Sequence, residues 1–306
     1  MKVILGIDGG GTYTRVAVMD IEGNLLADVK RSGGANIKKD PLAKENVLNA
    51  VYEALSKANC APHRIVGATA GIAGYDSESD FAWISELVNI DGLQCQVQYV
   101  SDAVVANVGA FLFEPGIIAI SGTGSIIFGI TEAGQHIRNY DFGHYAGTAA
   151  RFLSYHCVHK IIANETDDTD INLVSDVFKY FDVTDVSGLV GIFGGLSKAQ
   201  IDKKLGNFAP AITTTALQGS RLAQQICTKA AADIVTGIKL VGACFESDTV
   251  LAALIGGVAK SEFVASKITE MLCVRNSSKQ YQLIEPSVPP VIGAAMMAMR
   301  SVNERN

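Results

Sequence analysis

Nothing in the chain pairs cysteines in a Cys-x-x-Cys spacing; Cys60, Cys95, Cys157, Cys227, Cys244 and Cys273 are scattered. Free thiols in a reducing cytoplasm are the simplest account of that pattern. No run of lysine and arginine occurs, and the formal net charge is −6. That argues against nucleic acid or an anionic membrane surface as partner. No apolar stretch is long enough to span a bilayer. The first residues enter a strand pattern at once, without the features of a signal peptide, so a cytoplasmic location is expected. Charged residues are sparse at 18% against 48% hydrophobic, which excludes a disordered chain, and 306 residues allow one large or two ordinary domains.

Glycine is what the chain has. Ile4-Leu5-Gly6-Ile7-Asp8-Gly9-Gly10-Gly11-Thr12-Tyr13-Thr14-Arg15-Val16-Ala17-Val18 reads as strand, glycine turn, strand. Gly9, Gly10 and Gly11 admit backbone angles closed to other residues and let a ligand approach. Backbone N–H groups in such a turn can converge on an anion, and Thr12 and Thr14 add hydroxyls. Asp8 ends the first strand, where a carboxylate can hold a hydrated Mg²⁺ beside a phosphate. An ordinary Asp-Gly β-hairpin is the competing reading. The plan then recurs. Ile117-Ile118-Ala119-Ile120-Ser121-Gly122-Thr123-Gly124-Ser125-Ile126-Ile127 is again strand, Gly/Ser/Thr turn, strand, and Leu254-Ile255-Gly256-Gly257-Val258 is a third glycine site. Recurrence at this separation suggests two related halves, each offering a polar turn to a shared cleft.

Between these sites the pattern alternates between strand and helix, which argues for an α/β fold. Residues 24–30, 64–70 and 96–100 read as strands. Residues 41–58 read as a helix with Leu42, Val47, Leu48, Val51 and Leu55 on one face. Residues 80–88 read as a helix with Phe81, Ile84, Leu87 and Val88 inward, and 103–113 as a small-residue helix. Glu114-Pro115-Gly116 marks a turn and hinge. Beyond it, helices are predicted over 148–163, 173–181, 197–205, 218–241 and 261–272, with a polar loop at 167–171. Strands are predicted at 250–255 and 281–284. The terminal segment Ile292-Gly293-Ala294-Ala295-Met296-Met297-Ala298-Met299 reads as a helix built for close approach, with the methionines as core filler.

The motifs at residues 8–12, 121–125 and 256–258 resemble the first phosphate loop, second phosphate loop and adenosine loop of the actin/hexokinase/Hsp70 ATPase superfamily. Within it the chain is similar, nearly end to end, to the N-acetylglucosamine kinases and the BadF/BadG/BcrA/BcrD ATPases. The resemblance implies two actin-like (ribonuclease H-like) α/β domains with an ATP cleft between them. They would be residues 1–115, rejoined by 292–306, and residues 116–291. It implies ATP and Mg²⁺, with Gly10, Gly11, Thr12, Thr14, Gly122, Thr123, Gly124 and Ser125 on the phosphates and Gly256, Gly257 and Val258 at the adenosine. Asp8 would hold the metal. Asp102, in Ser101-Asp102-Ala103, falls where the sugar kinases carry their catalytic base, although an Asp between strand and helix can also be a simple N-cap. Asn36 matches an asparagine that touches the sugar, and Gly71, Ser121 and Thr148 are expected to line the same pocket. The implied activity is transfer of the γ-phosphate to a hydroxyl of an amino sugar, N-acetylglucosamine or a relative. Analogy with the group allows a homodimer.

One segment departs from the resemblance. After Gly143-His144 the acetylglucosamine kinases carry Gly-Asp-Glu-Gly-Ser, whose acidic residues bind sugar hydroxyls; this chain has Gly147-Thr148-Ala149-Ala150-Arg151-Phe152. The Arg-Phe-Leu piece looks closer to the dehydratase activators of the BadF group. Their cluster-holding cysteine is missing, since positions 145 and 146 are Tyr and Ala. An ATP-hydrolysing activator without an iron–sulfur cluster, and a non-catalytic sugar- or nucleotide-binding protein, therefore stand as alternatives. His156 and His159 flank Cys157 at helical spacing but supply too few ligands for a metal, so a surface helix is expected there. His144 is read as either a site-orienting or a structural residue.

Overall fold

The computed structural model describes residues 1–273 and 279–304. The chain forms two compact units, Met1–Glu114 with Glu285–Asn306, and Pro115–Ile284.

In the first unit, strands β1 (Val3–Gly9), β2 (Tyr13–Asp20) and β3 (Leu25–Ser32) form an antiparallel meander. Helix α1 (Ala43–Lys57) leads to β4 (Ile65–Ile72), α2 (Phe81–Leu87) to β5 (Val97–Ser101), and α3 (Asp102–Phe111) follows. β4 and β5 lie parallel to β1, giving the order β3-β2-β1-β4-β5. The apolar residues of β1 serve both faces. Leu5 and Ile7 pack with Val16 and Val18 against the Val47 and Val51 face of α1. Ile4 packs with Met19 on the other side, against Ala295 and Ala298. Those alanines belong to the terminal helix.

In the second unit, β6 (Gly116–Ser121), β7 (Ser125–Ile130) and β8 (His136–Arg138) repeat the meander. Five helices follow: α4 (Ala150–Ile162), α5 (Ile171–Phe181), α6 (Val186–Gly195), α7 (Lys198–Leu217) and α8 (Arg221–Gly242). Then come β9 (Thr249–Ile255), α9 (Glu262–Leu272) and β10 (Gln280–Ile284). The sheet order is β10-β9-β6-β7-β8, with β9 parallel to β6 and β10 parallel to β9. Outward from the central strand, each sheet has two antiparallel strands on one side and two parallel strands on the other.

Helix α10 (Pro290–Asn303) completes the first unit. The chain rejoins that unit before the helix begins, because Val288 N donates to Gly109 O (2.8 Å) and Ser287 Oγ to Ala110 O (3.0 Å). Gly293 lets α10 lie against α3: a Cβ there would sit 2.3 Å from the Val105 carbonyl oxygen. Residues 305–306, the end of the return expected from the sequence, lie outside the described residues.

Several local expectations are corrected. Leu42 is exposed at the head of α1, and Ala43, Ala50 and Ala54 take the buried positions beside Val47, Val51 and Leu55. Phe81 is half exposed and meets Tyr99 edge-on instead of pointing inward. The polar loop at 167–171 is a short 3₁₀ turn whose Asp170 accepts from Ser220 Oγ (2.8 Å) and Leu222 N (3.0 Å). Residues 186–195 form α6 despite four glycines. Asp185 caps it by accepting from Gly188 N (2.9 Å), and Leu189 is fully buried. α7 runs past residue 205 and through Pro210, because Phe208, Ala209 and Ile212 are buried in the core. That burial offsets the missing backbone bond. Among the described residues no helix is long and apolar enough to cross a membrane.

Candidate active site

In the first unit, the turn between β1 and β2 is held by backbone. Gly10 N donates to Tyr13 O (3.0 Å) and closes it. Two loops then pack on it: Gly33 N donates to Thr12 O (2.9 Å), Ala35 N to Gly10 O (3.0 Å) and Ala73 N to Gly9 O (2.8 Å). Gly11 and Thr12 stay exposed. Thr14 is fully buried, and its hydroxyl proton goes to Gly33 O (3.0 Å), so this side chain fastens the loop that carries Asn36. Asn36 is 5% exposed, its Oδ1 accepts from Lys38 N (2.9 Å), and its amide nitrogen lies against Gly74. The glycine turn, the Asn36 loop and the loop after β4 are thereby brought together. Gly71 differs: it lies inside β4, buried, with its Cα facing the Val105 side chain of α3.

Asp102 sits at the head of α3. The cap of that helix is Ser101, whose Oγ accepts from Ala103 N (3.4 Å). The capping role that the sequence allowed for Asp102 is thus filled by its neighbour. Burial raises the Asp102 carboxyl to about 6, helped by the negative charge of Asp76 and opposed by the Ala103 N–H, Ser101 and Lys39. Burial likewise raises Asp8 to about 7; Asp102 adds to the shift and Arg15 works against it. Arg15 stands across the hairpin from Asp8 and pairs with Asp28 at 2.7 Å. Both carboxyls exchange protons near neutrality, which ordinary surface aspartates do not. Asp76 and Lys39 were not anticipated from the sequence. Each is one of several charges in its loop, Lys38-Lys39-Asp40 and Asp76-Ser77-Glu78-Ser79-Asp80, with no motif to single it out, and its influence on Asp102 arises only from the fold.

In the second unit, the turn between β6 and β7 is braced from behind. Ser121 Oγ donates to Thr148 O (2.6 Å), Ser125 Oγ pairs with Thr148 Oγ1 (2.5 Å), and Tyr140 OH donates to Ser125 O. Ser121 and Thr148 are fully buried. The third motif joins the same structure. Val258 N and Ala259 N both donate to Ser121 O, at 3.0 and 3.2 Å. Gly256 has φ +96°, and a Cβ there would sit 2.4 Å from Ser121 O. Only glycine combines that backbone angle with that approach. Thr123 and Gly124 remain exposed at the tip. His144 is positioned by Asn139, whose amide nitrogen donates to His144 O (2.7 Å). No carboxylate lies between Gly147 and Phe152. The charged side chain that reaches the turn from this segment is Arg151, whose Nη1 donates to Thr123 O (3.3 Å).

The sequence matches the model of the BadF/BadG/BcrA/BcrD ATPase family over residues 5–298. The chain belongs to that family. Relatives include an N-acetylmuramic acid/N-acetylglucosamine kinase of Clostridium acetobutylicum, 24% identical over 249 residues and covering 79% of each chain. A glucosamine kinase of Vibrio cholerae, GspK, is 27% identical over 241 residues, covering 76% of this chain and 78% of its own. Among solved structures, a candidate N-acetylglucosamine kinase from Chromobacterium violaceum superposes with a TM-score of 0.78 at 18% identity, over 98% of this chain and 99% of that one. The fold of this BadF-type chain is the two-domain actin-like α/β fold.

Proposed function

We infer that this family member is an ATP-dependent kinase that phosphorylates a hydroxyl of an amino sugar, N-acetylglucosamine or a related N-acetylhexosamine. Membership of an ATPase family and the names of the relatives support the reaction class. The observation that carries the reading is Asp102, a carboxylate relieved of capping duty and titrating near neutrality at a strand end. A base with such a proton affinity can accept an acceptor hydroxyl's proton in the transition state. The hydroxyl oxygen bonds to the γ-phosphorus, the bond from that phosphorus to the bridging oxygen breaks, and ADP leaves. In this reading the exposed tips, Gly11 and Thr12 on one turn and Thr123 and Gly124 on the other, face the phosphates, while Gly10, Gly122 and Ser125 shape the turns that carry them. Gly256, Gly257 and Val258 border the adenosine. Asn36 is the acceptor-binding residue of this reading; Gly71, Ser121 and Thr148 are buried and act through the backbone they position. The hydroxyls of Thr14, Ser121 and Thr148 serve by holding backbone in place.

The donor set fits Mg²⁺. Among the described residues no group of three His, Cys, Asp or Glu side chains could encage a metal. Asp8 offers one carboxylate that accepts no hydrogen bond from a described residue. Mg²⁺ commonly takes one or two carboxylates and fills its remaining positions with water and phosphate oxygens. When bound it would neutralise phosphate charge; Asp8 would hold it, and Arg15 favours the ionised form of Asp8.

The test is ADP release measured across a panel of amino sugars. Strong stimulation by one sugar is expected. Slow hydrolysis indifferent to every sugar would replace this reading with an ATP-driven activator, and binding without turnover would replace it with a kinase-like binding protein.

A further inference from the structure

Resting on the kinase reading, we propose that Arg151 supplies the positive charge that the terminal phosphoryl group of ATP meets on the second unit. It is the specificity device that separates ATP from ADP. The side chain is 29% exposed and held by weak contacts: the 3.3 Å bond to Thr123 O, a 3.8 Å approach of Nε to Asp202 Oδ2, and the Phe152 ring, whose centroid lies 4.3 Å from the guanidinium carbon. Asp202 does not depend on it, because Tyr155 OH donates to Asp202 at 2.9 Å and Lys198 Nζ lies at 3.4 Å. A guanidinium has five N–H donors in a planar fork that matches phosphate oxygens. Here most of that capacity is uncommitted, and the fork stands on the exposed tip of the turn.

The charge balance asks for such a group. ATP brings several negative charges. The second turn, Ser121-Gly122-Thr123-Gly124-Ser125, has no cation within it and offers neutral N–H and O–H groups. The segment following Gly147 carries no acid that would neutralise Arg151. Its buried neighbours Thr148 and Ala149 fix the start of α4, and Ala150 N donates to Gly122 O (2.7 Å). The base of the Arg151 side chain is therefore tied to the turn it serves. Arginines that meet a transferring phosphoryl group commonly supply large rate factors.

The test uses the full chain with Arg151→Met, Arg151→Lys and Asp202→Asn, compared by ATP and ADP titration in the presence of magnesium and by sugar-stimulated ADP release. Arg151→Met is expected to bind ADP within about twofold of wild type, to lose its preference for ATP, and to turn over about a hundredfold more slowly. Added guanidinium ion should restore part of that turnover. Arg151→Lys keeps a charge but not the fork and should fall between the two. Asp202→Asn should leave turnover near wild type. Wild-type ATP preference and turnover in a folded Arg151→Met, or in Arg151→Lys if the methionine variant fails to fold, would overturn the proposal. So would an equal loss in Asp202→Asn, which would reduce Arg151 to a brace between α4 and α7. A wild-type protein that binds no ATP would instead remove the kinase reading beneath it.

Discussion

The two units share a strand plan and differ in what stands at the strand ends. β3-β2-β1-β4-β5 and β10-β9-β6-β7-β8 have the same pattern of antiparallel and parallel neighbours around a central strand. In the first unit the ends carry acids, Asp8 beside the glycine turn and Asp102 after β5. In the second unit the matching central strand ends in Ser121, and β9 runs into Gly256, so that end is built of backbone and hydroxyls. The bracing differs too. The first turn is fastened by two loops through its own carbonyls, whereas the second is fastened through Ser121 O and the Thr148 side chain. One scaffold has thus been given two tasks. In the proposed kinase, proton chemistry falls to the strand ends that carry carboxyls, and a rigid polar cradle to the strand ends that lack them.

The largest test of that division is Asp102→Asn. It keeps shape and removes the base, so turnover should fall about a thousandfold while ATP affinity measured by calorimetry stays within about twofold. Unchanged turnover would place the chemistry elsewhere. The pH dependence sharpens the same point. With folded-state values raised from 3.8 to about 7 for Asp8 and about 6 for Asp102, activity should decline as pH falls through 6. Stability runs the other way. The folded chain binds these two protons more tightly than the unfolded chain, so their contribution is complete below about pH 4 and is lost as pH rises to 7. Asp102→Asn should flatten the melting temperature against pH between 4 and 6, and an unchanged slope there would count against the raised value.

A smaller effect separates the glycines of the second unit by geometry. Gly256→Ala must place a methyl 2.4 Å from Ser121 O at φ +96°, and should cost about 2 kcal/mol, read by denaturant unfolding. A methyl added at Gly124 would meet nothing within 4 Å, so Gly124→Ala should stay within about 0.5 kcal/mol. If both variants are equally stable, the packing of the third motif on the second turn is wrong.

Much of this was legible in the sequence, for reasons that can be named. The glycine turns were visible because they interrupt runs of buried apolar residues, Ile4 to Ile7 and Ile117 to Ile120, where a buried strand has to reverse. Asp102 was visible as a position and ambiguous as a role. Its release from capping depends on Ser101 Oγ reaching Ala103 N, which a one-letter string cannot display. α6 was hidden because four glycines argue against a helix, and only the burial of Leu189 and the Asp185 cap outweigh them. Pro210 concealed the second half of α7 in the same way. Arg151 was in plain sight as a departure, but its contact with Thr123 O joins residues 28 apart in sequence through the packing of α4 beside the turn.

The finest test sets one buried threonine from each unit against the other. Thr14→Val removes the bond to Gly33 O, and Thr148→Val removes the partner of Ser125 Oγ. Both replacements are close to isosteric and both sites are fully buried, so each should cost about 1 kcal/mol for a polar group left without its partner. Their stability effects should therefore be alike, and their functional effects should not. Thr14 fastens the loop that carries Asn36, so its loss should raise KM for the sugar more than KM for ATP. Thr148 fastens the turn proposed to meet the phosphates, so its loss should raise KM for ATP more than KM for the sugar. Equal shifts in both constants from either variant would mean that the two braces serve the fold in general, and that the units are less specialised than their strand ends imply.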